Sequence, residues 1–127
     1  PKTGQTDEAE ILGEWTEKIN TSSVQLFRYS ALTFNGHRIH YDRKYATEVE
    51  GYPGLVVHGP LMATLLSLFA ERNSGRQLRK FSFRGKRPVF DLDGFNLTGS
   101  LSGRDSAELR VLDNMSQLSM TAEAVFF

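Results

Sequence analysis

Two of the three histidines in this chain lie in one polar segment, Thr33 to Asp42, with the sequence TFNGHRIHYD. Asn35 and Gly36 interrupt the helical periodicity there, so we expect a loop. A histidine titrates near neutral pH, and a partner on one ring nitrogen determines which nitrogen can accept a proton. His40 therefore qualifies as a general base, with His37 as a neighbouring substrate-binding or assisting group.

The second candidate for chemistry is the sequence His58-Gly59-Pro60, which directly precedes an apolar segment. Proline suits the first turn of a helix, because its missing N–H would have no partner there. Unpaired backbone N–H groups and the helix dipole make such an N-terminus attractive to negative charge. Glycine also lets a ligand approach the backbone closely. Gly59 is therefore a candidate hydrogen-bond donor to a developing oxyanion, with His58 beside the substrate.

Each of these signals also has a purely structural interpretation. A single histidine is more often structural than catalytic, and a glycine before a helix can be an ordinary start signal. His37 and His40 have the spacing of a metal-ligand pair, but only His58 or Asp42 offers a third ligand, so we expect no metal. The basic residues near the next predicted strand form either a solvated face or a phosphate clamp: Arg79, Lys80, Arg84, Lys86 and Arg87.

The elements that must position these residues can be predicted from periodicity. Residues 60–73 form an apolar helix with a narrow polar stripe, which requires burial on nearly all sides. Ser74-Gly75 is predicted to end it. Four later segments alternate apolar and polar residues, around Phe81, Leu97, Leu109 and Ala122. This pattern predicts an antiparallel sheet with one buried face. An α+β fold follows, in which a curved sheet wraps the long central helix.

The N-terminal part is predicted to be an arm or linker over residues 1–20, followed by one domain over residues 21–127. Residues 9–19 have helical apolar spacing and include Trp15, the single tryptophan. A second helix is expected after a cap at Ser22 or Ser23, with Val24, Phe27, Ala31 and Leu32 on one face. Residues 43–49 are expected to add a further helical turn or two.

Composition limits the classes of partner. Fifteen basic residues balance fifteen acidic residues, so no overall field favours nucleic acid or a membrane. Cysteine is absent, which excludes disulfides, thiolate nucleophiles and Cys-ligated zinc. No segment has the length of a membrane span, and we expect a soluble, cytoplasmic protein, or one of the mitochondrial matrix if the source is eukaryotic.

The stretch from Phe27 to Ala70 resembles a known family, the MaoC-like hydratases or hydratase 2. Members carry an aromatic residue, a small residue, then Asp-x-Asn-Pro-(Leu/Ile/Val)-His and, after five residues, Ala. The corresponding residues here are Tyr29, Thr33, Asn35 for Asp, His37 for Asn, Arg38 for Pro, Ile39, His40 and Ala46. FRYSALTFNGHRIHYD and EGYPGLVVHGPLMA look most like the branch of mesaconyl-C4-CoA and itaconyl-CoA hydratases and hydroxyacyl-thioester dehydratase type 2.

The resemblance implies a hotdog fold and an enzyme that adds or removes water across the α,β double bond of an acyl thioester. His40 then corresponds to the catalytic histidine, Asn35 to the aspartate of the pair, and Gly59 to the glycine whose amide binds the thioester carbonyl. An amide cannot accept a proton at working pH, so Asn35 can orient water but cannot be a base. No cofactor is implied beyond the CoA of the substrate.

The expected substrate is a short dicarboxylyl-CoA such as mesaconyl- or itaconyl-CoA. Arg38 is the candidate cation for its extra carboxylate, and Arg84 and Arg87 are candidates for the CoA phosphates. Three alternatives remain open: a 3-hydroxyacyl-ACP dehydratase of fatty-acid synthesis, a hotdog thioesterase, and a non-catalytic hotdog unit.

A sheet of this length covers only part of the central helix. Hotdog proteins complete their structure with a second unit, and the resembling branch has two hotdog halves in one chain. We therefore expect this chain to pair, either as a homodimer or with a separate hotdog unit, and expect the partner to shield Trp15.

Overall fold

The computed structural model describes residues 13–127. Their helices and strands, in chain order, are β1 Trp15–Ile19, α1 Ser23–Leu32, α2 Gly59–Ser74, β2 Leu78–Gly85, β3 Phe95–Leu101, β4 Ser106–Leu112 and β5 Leu118–Phe126. Between α1 and α2 the chain forms a short 3-10 turn, Arg38–His40, and a π-helical turn, Tyr45–Val49.

The five strands form one antiparallel sheet in the order β1-β3-β4-β5-β2. Residues that face each other across the register include Leu97 with Val111, Leu109 with Ala122, and Phe81 with Ala124. Most of these side chains are buried, and they contribute to the hydrophobic core. The four predicted strands and the buried face of their sheet are therefore confirmed.

The long helix α2 packs on this face and contacts strands β2 to β5. Its buried residues are Leu61, Met62, Ala63, Leu66, Phe69 and Ala70. Leu68 is exposed, so the helix is covered on one broad side rather than on nearly all sides. Gly75 ends it with a left-handed φ of 70°, a backbone conformation that glycine adopts without a steric penalty. The α+β arrangement and the helix predicted for residues 60–73 are confirmed.

The helix predicted for residues 9–19 is wrong where the structure can test it. Residues 15–19 form the edge strand β1, which pairs with β3, while residues 9–12 lie outside the described part. The apolar residues Trp15 and Ile19 fit an i, i+4 helical spacing, but the alternate burial of residues 15–19 is that of a strand. Trp15 packs edge-on against Phe69 of α2, at 6.4 Å between ring centroids. These residues thus belong to the sheet rather than to a separate arm.

The predicted helix α1 is present and Ser22 caps it, accepting a hydrogen bond from the backbone N–H of Gln25 at 3.1 Å. The apolar face predicted for this helix is not the side that the structure buries. Leu26 and Ser30 are buried, whereas Val24, Phe27 and Leu32 are exposed. The reason is that α1 lies over the segment around His58, and contact with that segment, rather than the apolar stripe, determines which side is covered.

Among the described residues, no helix has the length and apolarity needed to cross a membrane.

Candidate active site

His40 is fixed by a buried hydrogen bond at the end of the 3-10 turn. Its Nδ1 lies 2.7 Å from the carbonyl oxygen of Val56. A carbonyl can only accept, so Nδ1 carries the ring proton and Nε2 keeps an unprotonated lone pair. The ring is only 8% exposed, and burial, with a smaller effect of nearby His37, lowers the pKa of His40. Its accepting nitrogen therefore stays free at neutral pH.

The segment that supplies this carbonyl is itself held on both sides. The Val56 N–H donates to the Ile39 carbonyl at 2.9 Å, and the Val57 N–H donates to the Val89 carbonyl at 2.8 Å. Asp91 accepts from the Leu55 N–H at 3.0 Å and forms an ion pair with Arg43 at 2.6 Å. This network attaches the histidine loop to the start of α2.

His58 lies directly beneath His40. The two imidazoles stack at 3.9 Å between centroids with an interplanar angle of 18°. His58 is 1% exposed, its Nε2 lies 2.7 Å from Ser30 Oγ, and Tyr29 contacts it edge-on at 4.7 Å. Burial, followed by repulsion from His40, lowers the pKa of His58 to about 4. His58 is therefore neutral wherever His40 can act as a base.

A cavity of about 310 Å³ opens beside His40 and the start of α2. Its polar boundary consists of His40, Gly59, Lys86, Arg87 and Ser119, and Val56, Val57 and Met62 are among its apolar lining residues. Within the described residues, and apart from its two chain neighbours and the backbone of its own helix, no atom lies within 4 Å of the position that a Cβ on Gly59 would take. A ligand can thus approach the helix N-terminus and His40 from the same space.

The other candidate residues are distributed around this centre. Asn35 Oδ1 accepts from the His37 backbone N–H at 3.1 Å, and the His37 ring lies 5.9 Å from that of His40. Asn35 lines a separate groove of about 340 Å³, together with Phe27, Phe34 and Tyr41. The predicted loop thus brings His37 to His40, while Asn35 orders the loop backbone.

Two of the predicted substrate-binding arginines lie away from the His40 cavity. The Arg38 guanidinium forms an ion pair with Asp42 at 2.9 Å and lies 4.1 Å from the centre of the Tyr45 ring. Arg84 lines a cavity on the other face of the sheet, next to Glu108 and Glu123. Arg87 does line the His40 cavity, with one guanidinium nitrogen 2.6 Å from Gln117 Oε1.

Two groups that contact the histidines were not predicted from the sequence. Ser30 lies four residues after Leu26 and so on the same helix face, but a serine within a helix gives no signal of its own. The Val56 carbonyl carries no sequence signal, because every residue has one. Within residues 13–127, no group of three or more His, Asp or Glu side chains is arranged to hold a metal ion, so the alternative of a His37–His40 metal pair finds no third ligand there.

Comparison with solved structures identifies the fold. The structure is similar to the (R)-hydratase from A. caviae involved in PHA biosynthesis, with a TM-score of 0.72 and 22% identity over 90% of this chain and 93% of that chain. The arrangement of one helix on a five-stranded antiparallel sheet is the hotdog fold, as the resemblance implied.

Comparison of sequences identifies the relatives. The chain is 54% identical to the mesaconyl-C(4)-CoA hydratase of Chloroflexus aurantiacus over 99 residues, which are 77% of this chain and 35% of that protein. It is 43% identical to the mitochondrial hydroxyacyl-thioester dehydratase type 2 of Schizosaccharomyces pombe over 70 residues, which are 53% of this chain and 23% of that protein. The chain thus spans about a third or less of each of these two relatives.

The family model described as hydroxyacyl-thioester dehydratase type 2 matches residues 2–91. This range includes the histidine loop, the Val56 segment and the whole of α2. The chain therefore belongs to the hydroxyacyl-thioester dehydratase type 2 family.

Proposed function

We propose that this chain carries the reaction centre of a hydratase/dehydratase that acts on the α,β double bond of an acyl thioester. The observation that carries the proposal is one cavity lined both by His40, whose Nε2 carries no proton, and by the N-terminus of α2. The free Nε2 of His40 is a base, and Gly59 opens the first turn of α2 to the same space. Family membership and the names of the relatives support this assignment.

The chemistry follows from these two groups. His40 Nε2 takes a proton from water while the water oxygen forms a bond to the β-carbon of the substrate. The electron pair of the double bond moves toward the thioester carbonyl, whose oxygen gains negative charge and is stabilised at the N-terminus of α2. Protonated His40 then delivers the proton to the α-carbon, with His37 adjacent. Dehydration is the same sequence in reverse.

For the substrate we propose a CoA thioester, and within that class a short dicarboxylyl-CoA. The name of the Chloroflexus relative supports the second part. Lys86 and Arg87 at the cavity are the cations that a CoA phosphate or a second carboxylate would meet first. Arg38 would have to leave Asp42 to reach such a carboxylate, and Arg84 would have to contact a part of CoA that extends past the sheet edge.

We further propose that the active protein contains a second hotdog unit, either a copy of this chain or a separate unit. The exposed aromatic side chains Phe27 and Phe34 beside the histidine loop support this proposal, because a partner would remove them from water. A location in the cytoplasm or the mitochondrial matrix is compatible with the relatives, one of which is described as mitochondrial.

The test is turnover of enoyl-CoA and enoyl-ACP esters, followed by loss of enoyl absorbance, in wild type and in His40→Asn. Asparagine keeps an N–H donor for the Val56 carbonyl but has no base, so the fold is retained while the proton acceptor is lost. We expect activity to fall by about 10²–10⁴-fold, the usual contribution of a general base.

An unchanged rate in His40→Asn would contradict the proposal. Release of free thiol without hydration would indicate a thioesterase, and wild-type protein inactive on all esters with any partner present would indicate a non-catalytic unit. Activity on ACP esters alone would support the proposed reaction but would identify ACP, not CoA, as the carrier of the acyl group.

A further inference from the structure

We propose that Ser30 and His58 form a positioning pair that holds the His40 ring in the orientation that points Nε2 at the substrate cavity. The inference rests on the hydration chemistry proposed above. It extends that chemistry to two residues that act through His40 and not on the substrate. Neither carries out proton transfer in this scheme. Their contribution is the geometry and the protonation state of the base.

The His40 ring is constrained on an edge and on a face. Its Nδ1 is tied to the Val56 carbonyl at 2.7 Å, which fixes one edge but leaves rotation about that hydrogen bond. The face stack on His58, 3.9 Å between centroids, removes this remaining freedom. A base that must meet a water molecule within hydrogen-bond distance depends on such orientation.

Ser30 in turn fixes the position of the His58 ring. Ser30 Oγ lies 2.7 Å from Nε2, and both residues are buried. His58 Nδ1 has no hydrogen-bond partner within the described residues. A buried N–H without a partner is rarer than a buried acceptor without one, so the proton lies on Nε2 and is donated to Ser30 Oγ. Ser30 therefore sets the tautomer of His58.

A neutral His58 is required for His40 to function as a base. Two stacked imidazolium ions would repel strongly, and the more buried ring is the one that stays neutral. The other charged or titratable groups facing His40 are His37 on its own loop, and Lys86 and Arg87 at the cavity. Among the described residues that line this cavity none is a carboxylate, so protons arriving there have His40 as their acceptor.

The experiment combines nitrogen NMR of the three histidines with kinetics on Ser30→Ala. The chain has only three histidines, so single substitutions assign every ring. In wild type we expect His58 to remain neutral with its proton on Nε2 over about pH 5 to 8, and we expect His40 to become protonated at a higher pH than His58. In Ser30→Ala we expect His58 shifts averaged between tautomers. We also expect kcat to fall by about tenfold, the equivalent of one lost hydrogen bond, with little change in KM.

Ser67→Ala is the matched control, because Ser67 lies on a helix and bonds only a backbone carbonyl, that of Thr64 at 2.8 Å. It should leave the His58 tautomer, kcat and the pH profile unchanged. Ser30→Thr, which restores a hydroxyl, should recover the tautomer and most of kcat.

A His58 that titrates in the same range as His40 would overturn the proposal. So would a folded Ser30→Ala protein whose His58 tautomer and kcat match wild type. The NMR readouts need no turnover, so an inactive protein would contradict the proposed function while the tautomer result still decides the positioning.

Discussion

At the scale of single residues, the property that matters most is that His40 is a base with a lowered pKa. Burial disfavours the imidazolium form, so the free base persists to a more acidic pH than an exposed histidine allows. The rate of a reaction that needs the free base falls only when the pH drops below that pKa. The acid limb of kcat/KM is therefore expected below the ordinary histidine range.

Asn35→Asp tests the electrostatics of this base. The carboxylate keeps the hydrogen bond to the His37 N–H and adds negative charge to the loop that carries His40. An opposite charge nearby favours imidazolium and raises the pKa of His40, so the acid limb moves to higher pH. A pH profile of kcat/KM measures this shift, and Asn35→Ala, which adds no charge, is the comparison. A shift to lower pH would contradict the argument.

The Gly59→Ala substitution tests whether Gly59 binds the substrate or only begins helix α2. A methyl group at this position meets open space, so the free energy of unfolding should stay close to wild type or rise slightly. The same methyl group projects into the space from which a thioester oxygen would approach the amide, so kcat/KM should fall by about 10²-fold or more. Thermal unfolding and kinetics on one preparation check both. Unchanged kinetics would leave Gly59 with a structural role only.

Residue type and spacing identified His40 as a candidate base and predicted the helix N-terminus that the structure has at Gly59. They did not predict the stack of His40 on His58 or the bond from His58 to Ser30. The two histidines are 18 positions apart, and their contact depends on the path of the segment around Val56. Such contacts arise from tertiary packing, which has no local signature.

At the scale of elements, helix α1 exposes several of its large apolar side chains to water. Leu26 and Ser30 face inward, while Phe27 is exposed at 56%. Leu26→Ala should therefore lower the free energy of unfolding by about 2–5 kcal/mol, as for other fully buried leucines. Phe27→Ala should cost much less in the single chain. Chemical denaturation of both variants measures the difference, and a larger loss for Phe27→Ala would mean that the predicted face is the buried one in solution.

How much of the fold could be predicted depends on whether the apolar residues of an element mark its buried side. Strands β3 to β5 and helix α2 bury most of their apolar residues against each other, and β2 alternates apolar with polar residues, so periodicity identified all five elements directly. Strand β1 is short and at the edge, and its spacing of Trp15 and Ile19 fits a helix equally well. Helix α1 has apolar residues on two sides, so periodicity alone does not determine which side is buried.

At the scale of the whole molecule, the sheet ends in two edge strands, β1 and β2. Phe83 on β2 pairs in register with the buried Ala122 and so faces the helix side, yet it is 49% exposed. An unpaired edge with an exposed aromatic residue on its core face is suited to pairing with another strand. We therefore expect the second hotdog unit at the β2 edge rather than at β1, where Trp15 already packs against Phe69 of the same chain, so the expectation that the partner shields Trp15 is replaced.

Phe83→Asp tests this assembly. A charge on the core face of the edge costs little in a single chain but must lose its hydration in a paired sheet, so association should be lost. In sedimentation, wild-type protein at turnover concentrations should have a mass above that of one 14.3 kDa chain. Phe83→Asp should sediment as a single chain and lose activity. Met115→Asp, on a turn and 73% exposed, should behave as wild type. Wild-type protein that turns over substrate as a single chain would contradict the assembly.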